Sequence, residues 1–166
     1  MRASKTKNSS QKRRARAVEP ETSPQVVVLA AGVGSRMRST LPKVLHRIGG
    51  RTLLDAVLDT AEEISPSQVV AVIGAGREQV EKALSGRAVT IVFQDPPLGT
   101  GDAVRRALPA LAGDGSAPVV ILSGDAPLLT AATLTRLIER RREKGLDLQS
   151  CALRHGYAAH RLGQRR

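Results

Sequence analysis

The amino-acid sequence predicts an α/β fold of the Rossmann-like type, a three-layer α/β/α arrangement around a mostly parallel sheet. Two observations carry this prediction. Short Val/Ile-rich runs alternate with longer segments in which Leu, Val and Ala recur at helical spacing, and such alternation builds parallel strands joined by right-handed crossovers. The glycines and polar residues gather after the predicted strands, where a sheet of this type binds its ligand.

The predicted elements follow one another along the chain without an internal repeat. Strands are expected over Val26 to Ala30, Gln68 to Ile73, Ala88 to Phe93 and Pro118 to Leu122. Helices are expected over residues 51–64, 77–84, 101–112 and 130–144. Thr130 is a suitable N-cap for the last helix, and Gly145 is a suitable stop.

Length and composition set the class of protein. A chain of 166 residues with 41% hydrophobic content is enough for one α/β domain with its own core. Phe93 and Tyr157 are the only aromatic residues, so the core must be aliphatic. The single Cys151 cannot form an internal disulfide, and the sequence contains neither a signal-peptide segment nor a membrane-spanning run. We therefore expect a soluble, cytoplasmic protein with no membrane partner; the sequence does not indicate its oligomeric state.

The net charge of +11 belongs to the two ends of the chain. Residues 1–17 carry +7 and residues 136–166 carry +6, whereas residues 18–135 carry −2. Residues 1–24 are polar and cationic and are expected to form a disordered arm. Basic ends can neutralise phosphates, but no aromatic residues are interleaved for base stacking. The composition therefore favours a solvated extension over a nucleic-acid partner.

The first predicted strand leads into a glycine-bearing loop with two cations. The segment reads Leu29-Ala30-Ala31-Gly32-Val33-Gly34-Ser35-Arg36-Met37, and Pro42-Lys43 follows shortly after it. Small residues let backbone N–H groups approach phosphate oxygens, while the cations offset charge. A dinucleotide loop needs a third glycine where Met37 stands, and a Walker loop needs Gly-Lys-(Ser/Thr), which this loop does not contain. The loop predicts a nucleoside triphosphate as ligand.

This run resembles the signature Leu-Ala-Ala-Gly-x-Gly-(Thr/Ser)-Arg-Met, followed by Pro-Lys, of the sugar-phosphate nucleotidyltransferases in the MobA-like NTP transferase superfamily. Leu-Pro-Lys-Val-Leu-His at residues 41–46 is most similar to the GlmU-like N-acetylglucosamine-1-phosphate uridylyltransferases. The resemblance implies transfer of UMP from UTP to N-acetylglucosamine-1-phosphate, which gives pyrophosphate and UDP-N-acetylglucosamine, a peptidoglycan precursor. It assigns catalytic roles to Arg36 and Lys43, and substrate binding to Leu29, Ala30, Ala31, Gly32, Gly34 and Ser35.

The loop after the third predicted strand reads Gln94-Asp95-Pro96-Pro97-Leu98-Gly99-Thr100-Gly101. It is similar to the family segment Gln-x-x-x-Leu-Gly-Thr-Gly, which implies that Gln94, Leu98, Gly99 and Thr100 bind the nucleoside. A carboxamide offers both a donor and an acceptor to a pyrimidine edge, and Thr100 is also a candidate cap for the next helix. A proline-glycine loop with a capping threonine is the structural alternative.

The loop after the fourth predicted strand reads Ser123-Gly124-Asp125-Ala126-Pro127-Leu128. An aspartate held at the end of a buried strand is well placed to bind a hard cation through oxygen. The family pattern Gly-Asp-x-Pro-Leu implies that Asp125 binds Mg²⁺, the expected cofactor, and that Gly124 lines the substrate site. A turn aspartate bonded to its own backbone is the structural alternative.

The implied chemistry needs no protein nucleophile. A sugar-phosphate oxygen would attack the α-phosphorus of UTP in line, with Arg36 holding the triphosphate and Lys43 stabilising charge near the α-phosphate. His46 is expected to be a packing or hydrogen-bonding residue. Cys151, His155 and His160 form no metal-ligand pattern.

The resemblance runs from Gln25 to Asp147, so residues 25–147 are expected to form part of a nucleotidyltransferase domain. The family continues with a Gly-Tyr-Gly segment, sugar-binding residues and a second metal ligand, which this chain does not match; we therefore expect a truncated, incomplete active site. Residues 148–166 form a divergent basic tail. If the codon for Ala158 is GCG and the codons after it are suitable, deletion of one base would restore the family motif. On that basis we interpret residues 158–166 as frameshifted; a genuine basic tail is the alternative.

Two further functions stay open. One is another NTP transferase, acting on a different sugar phosphate or on the molybdenum cofactor. The other is a non-catalytic fragment that binds nucleotides, or nucleic acid through its basic ends.

Overall fold

The computed structural model describes residues 23–32, 34, 37 and 39–145, and it confirms the predicted α/β fold. Its main sheet contains β1 (Gln25–Ala30), β4 (Gln68–Ile73), β5 (Thr90–Phe93) and β6 (Val119–Ser123). All four strands are parallel and lie in the order β5-β4-β1-β6. A small antiparallel hairpin of β2 (Arg47–Ile48) and β3 (Arg51–Thr52) follows β1 in the chain.

Helices alternate with the parallel strands, as predicted. They are α1 (Leu53–Glu63), α2 (Arg77–Leu84), α3 (Thr100–Ala107) and α4 (Ala131–Lys144), with 3-10 helices over Lys43–Leu45 and Leu108–Ala110. Gln25 at the start of β1 lies opposite Gln68 of β4 and Val119 of β6, so these strands begin level and their carboxyl ends share one edge. Among the described helices, none has both the length and the apolar character needed to cross a membrane.

Several element bounds differ from the prediction for local reasons. The first helix begins at Leu53 rather than at residue 51, because Arg51 and Thr52 pair in the hairpin and the Thr52 hydroxyl accepts the Asp55 N–H at 2.9 Å as an N-cap. The third helix ends at Ala107 and passes into the 3-10 helix, which carries a proline. At the other end of the domain, Thr130 caps α4 and Gly145 ends it with φ of 57°, which confirms both predictions.

The sheet is buried on both faces, which is why β1 and β4 read as continuous apolar runs rather than alternating ones. One face packs against α1, α2 and α4, and the other packs against α3. A fully buried Val or Leu contributes about 1.5–3 kcal/mol relative to an exposed one. The largest fully buried side chains are therefore the main source of stability; they are Leu54, Leu58, Ile73, Leu134, Val26, Val27, Val28, Val70, Val72 and Val80.

The amino ends of β1 and β4 are tied to the loop before β6. The Gln25 carboxamide donates to Ala112 O at 2.7 Å, and the Gln68 carboxamide donates to Ala110 O and accepts the Ala112 N–H. Pro24, which we assigned to the basic arm, is buried, and its carbonyl accepts the Ser67 N–H. The folded part thus begins before Gln25, whereas residues 1–22 and 146–166, including the predicted tail 148–166, lie outside the described residues.

Candidate functional site

The loops after β1, β5 and β6 meet in a cleft of about 350 Å³ at the carboxyl edge of the sheet. This is the convergence that the sequence predicts. Eight residues of the predicted site line the cleft, namely Leu29, Ala31, Gly32, Lys43, Gln94, Gly99, Thr100 and Asp125, together with Val44, Pro97, Ala103 and Ser123. Ser35 and Arg36 lie outside the described residues.

The glycines of the β1 loop have different roles. Gly32 is exposed, and a Cβ built on it would meet no atom within 4 Å. Gly34 has φ of +62°, and a Cβ there would lie 2.8 Å from Lys43 Cβ. Gly34 therefore lets the backbone pass close to Lys43, while Gly32 leaves open space beside the cleft.

Lys43 and Asp125 form an ion pair across the cleft. The Ser123 hydroxyl also donates a hydrogen bond to the Asp125 carboxylate. Partial burial on its own would raise the pKa of Asp125, but the hydrogen bonds from Lys43 and Ser123 outweigh it and leave the pKa below its ordinary value. Asp125 is thus a carboxylate throughout the neutral range, with a cation as its present partner.

The donor set around Asp125 fits a magnesium ion that is held largely by its substrate. Among the described residues, no group of three or more His, Cys, Asp or Glu side chains forms a metal site. Mg²⁺ keeps several waters and is commonly bound by one or two carboxylates plus substrate phosphates. One ionised carboxylate facing a phosphate-sized cleft meets that requirement, although Lys43 must first leave it.

Gln94 is 4% exposed, and its side chain lies inside the loop that follows β5. Its Nε2 donates to Gly99 O at 2.9 Å and to Asp102 Oδ2 at 3.0 Å. Asp102 also accepts hydrogen bonds from Arg105 at 2.6 Å and Arg106 at 2.8 Å, and the bonds from Gln94 and both arginines hold its pKa well below the ordinary range. We expected the Gln94 carboxamide to offer a ligand both a donor and an acceptor. The donor part of that prediction is wrong, because both N–H groups already bond to Gly99 and Asp102.

Four predicted site residues differ in how they relate to the cleft. Ala30 is buried at the end of β1, and Gly124 is buried where a Cβ would lie 3.0 Å from Leu29 O. Leu98 is 63% exposed and does not line the cleft. Thr100 does line it, but the N-cap of α3 is Gly99 and no side chain caps this helix, so the capping role expected of Thr100 is wrong.

The loop after β4 supports the site and was not predicted from the sequence. A Cβ on Gly74 would lie 2.9 Å from Ala31 O and 3.0 Å from Gln94 O, so this glycine joins the loops after β1 and β5. Gly76 has φ of +69°, and a Cβ there would lie 2.2 Å from Pro42 Cγ. The signal was present as Gly-Ala-Gly directly after a strand, a pattern typical of close backbone approach.

His46 follows Lys43 and ends the 3-10 helix. Its N–H donates to Lys43 O, and its carbonyl accepts the Leu53 N–H at 2.9 Å. Its Nε2 is buried and has no hydrogen-bond partner among the described residues. The buried Nε2 without a partner agrees with packing, one of the two roles predicted for His46. Cys151, His155 and His160 lie outside the described residues.

Comparison with known proteins identifies the domain. The model of the MobA-like NTP transferase domain family matches residues 26–160, which is most of the chain and extends past Asp147, where the sequence resemblance was expected to end. The chain belongs to the MobA-like NTP transferase family. Its family is one of nucleotidyltransferase domains.

The relatives of this NTP transferase domain agree with its family and fold. Over 118 residues it is 52% identical to the bifunctional protein GlmU of Burkholderia lata, a match that covers 71% of this chain and 26% of that protein. A nucleotidyl transferase from Methanothermobacter superposes with a TM-score of 0.64 at 30% identity, covering 72% of this chain and 58% of that one. The chain thus spans about a quarter of the length of the curated relative.

A further solved structure bears on the metal. The Rv0371C protein of Mycobacterium tuberculosis, in complex with manganese, superposes on this NTP transferase domain with a TM-score of 0.60 at 30% identity, covering 74% of this chain and 61% of that one. A divalent cation therefore accompanies the fold in a relative. In this chain the Asp125 carboxylate faces the cleft as an oxygen ligand for such a cation.

Proposed function

We propose that the cleft binds UTP with Mg²⁺, and that the chain supplies the nucleotide side of an N-acetylglucosamine-1-phosphate uridylyltransferase. Its similarity to GlmU at 52% identity supports the substrate class. The observation that carries the proposal is the pair of Lys43 and Asp125 in a cleft bordered by Gly32 and Gln94. A cation, an ionised carboxylate and an open backbone there provide what a metal-bound triphosphate needs.

The Lys43–Asp125 pair is suited to being replaced by a ligand. The two side chains are 42% and 28% exposed, and ion pairs with this much solvent contact contribute little stability, about 0–1 kcal/mol. Separating them therefore costs the fold little. On binding, Lys43 would move to the phosphates and Asp125 would be free to hold Mg²⁺, so each charge exchanges one partner of opposite sign for another.

The proposed reaction is an in-line displacement at the α-phosphorus of UTP. A phosphate oxygen of the sugar phosphate forms a new P–O bond, and the bond to the pyrophosphate leaving group breaks. Lys43 would stabilise the charge that develops on the α-phosphate, and Arg36, by resemblance, would hold the triphosphate. Bound Mg²⁺ would neutralise phosphate charge and orient the leaving group. Asp125 would hold that ion, and no covalent intermediate with the protein is required.

Calorimetric titration of the 166-residue chain with UTP in the presence of Mg²⁺ tests this proposal. Lys43→Ala removes a charge-assisted contact, and such contacts are worth about 1.5–3 kcal/mol. We therefore expect a loss of affinity of at least about tenfold. Lys82→Ala is the matched control, because Lys82 is an exposed lysine on α2 outside the cleft and should leave the affinity unchanged. Equal affinities for wild type and Lys43→Ala would overturn the role of this loop.

A further inference from the structure

The Gln94 carboxamide is held in one orientation by its hydrogen bonds. Its two N–H groups point at Gly99 O and Asp102 Oδ2. A backbone carbonyl and an ionised carboxylate accept hydrogen bonds and have no hydrogen to donate. Turning the amide by 180° would place its oxygen against both acceptors, so the network defines which end is nitrogen.

Asp102 is itself fixed in place. Its side chain is 6% exposed and receives Arg105 on one oxygen and Arg106 on the other, and it shares the second oxygen with Gln94. Two guanidinium groups keep the carboxylate ionised, so it stays a pure acceptor. Asp102 therefore accepts hydrogen bonds at a fixed position, and the end of the Gln94 amide that faces it must be the N–H end.

The orientation of the amide determines what it presents to a ligand. With both N–H groups used, the carbonyl oxygen Oε1 is the part of the side chain left for another molecule, and among the described residues no donor reaches it. Gln94 lines the cleft. Where this acceptor faces N3 of a pyrimidine, it pairs with uracil, whose N3 carries a hydrogen, and not with cytosine, whose N3 is itself an acceptor and whose donor is the exocyclic amino group.

We propose that Asp102 is a positioning residue that sets base specificity by fixing the Gln94 carbonyl toward the nucleobase, so that the cleft accepts uracil and rejects cytosine. This inference rests on the proposed binding of UTP. It names a determinant outside the predicted site, since Asp102 acts through Gln94 and does not itself line the cleft. Without Asp102, only Gly99 O still holds the amide. The amide can then turn more readily and present its N–H to cytosine N3 or its oxygen to uracil N3–H.

The test is the ratio of UTP to CTP affinity, measured by calorimetry with Mg²⁺ on the full chain. Wild type should prefer UTP by about tenfold or more, because CTP would leave two acceptors facing each other. Asp102→Asn keeps the shape of the side chain and one acceptor oxygen, whereas Asp102→Ala removes both acceptor oxygens. We expect the ratio to fall stepwise, to within about threefold of unity in the alanine variant. Asp114→Ala is the control, because Asp114 is an exposed aspartate that does not line the cleft and makes no contact with Gln94.

The ratio separates specificity from folding. UTP and CTP are titrated into the same sample, so a partly unfolded variant lowers both apparent affinities equally and leaves the ratio unchanged. If wild type prefers UTP and Asp102→Ala retains that preference, the positioning role is wrong while the proposed function stands. If wild type binds neither nucleotide, the proposed function fails and this inference fails with it. A wild type that binds UTP and CTP equally also overturns the inference.

Discussion

Replacing Gly74 tests how closely the loops after β1 and β5 approach each other, because any side chain at this position would meet backbone atoms of both loops. In Gly74→Ala, the new methyl group would lie 2.9 Å from Ala31 O and 3.0 Å from Gln94 O. Both atoms belong to the backbone of loops anchored by parallel strands, so the conflict cannot be relieved by a rotamer change. Insertion of a methyl group into a packed site costs about 1–3 kcal/mol. We expect that loss in the free energy of unfolding, measured by urea denaturation followed by far-UV circular dichroism.

Gly101→Ala is the matched control for this substitution. Gly101 lies inside α3, and a Cβ there would meet no atom within 4 Å. Because Gly is about 0.5–1 kcal/mol less favourable than Ala within a helix, this variant should be slightly more stable than wild type. If Gly74→Ala unfolded at the same urea concentration as wild type, the close contact of the loops after β1 and β5 would be refuted.

Two more predictions concern the phosphate loop and the acid sensitivity of the base loop. Gly32→Ala should leave urea stability unchanged, because the free cleft has room for the methyl group, but it should weaken UTP binding in calorimetry by blocking phosphate approach; unchanged binding would remove Gly32 from the site. The lowered pKa of Asp102 means that its stabilising contribution is fully present above the unfolded pKa of about 3.9 and is lost as pH falls through the folded value. Asp102→Asn should therefore lose less stability than wild type between about pH 4 and pH 2 in urea titrations at each pH. Parallel losses in the two proteins would contradict the assigned ion pairs.

The sequence allowed the main sheet to be predicted because its signals are local. The valine run of β1 and the apolar run of β4 are buried on both faces, so composition alone marks them as strands. Thr130 and Gly145 act on their own helix and were equally visible. The hairpin between Arg47 and Thr52 was missed although its Gly49-Gly50 turn, with φ of 58° and 83°, is a strong hairpin signal; two-residue strands are too short to show alternation.

The site could be predicted as a set of residues but not as a set of contacts. Motif resemblance indicated Lys43 and Asp125, but their pairing depends on β6 lying next to β1, which no local pattern specifies. The orientation of Gln94 depends on Asp102, which lies in the first turn of α3. Asp102 belongs to no motif that indicates a role for it. That its carboxylate takes up an N–H group of Gln94 is therefore seen only once the loop and the helix are folded together.

The proposed function requires that the cleft bind a uridine nucleotide by its base at one end and by its phosphates at the other. A crystal structure of the 166-residue chain with UTP and Mg²⁺ would show this binding mode. We expect the uracil ring to lie against Gln94 and the triphosphate to lie beside Gly32 with Lys43 on its phosphates, while the metal opens the Lys43–Asp125 ion pair. A nucleotide bound elsewhere, or bound in the cleft with the ion pair intact, would contradict the proposed binding mode.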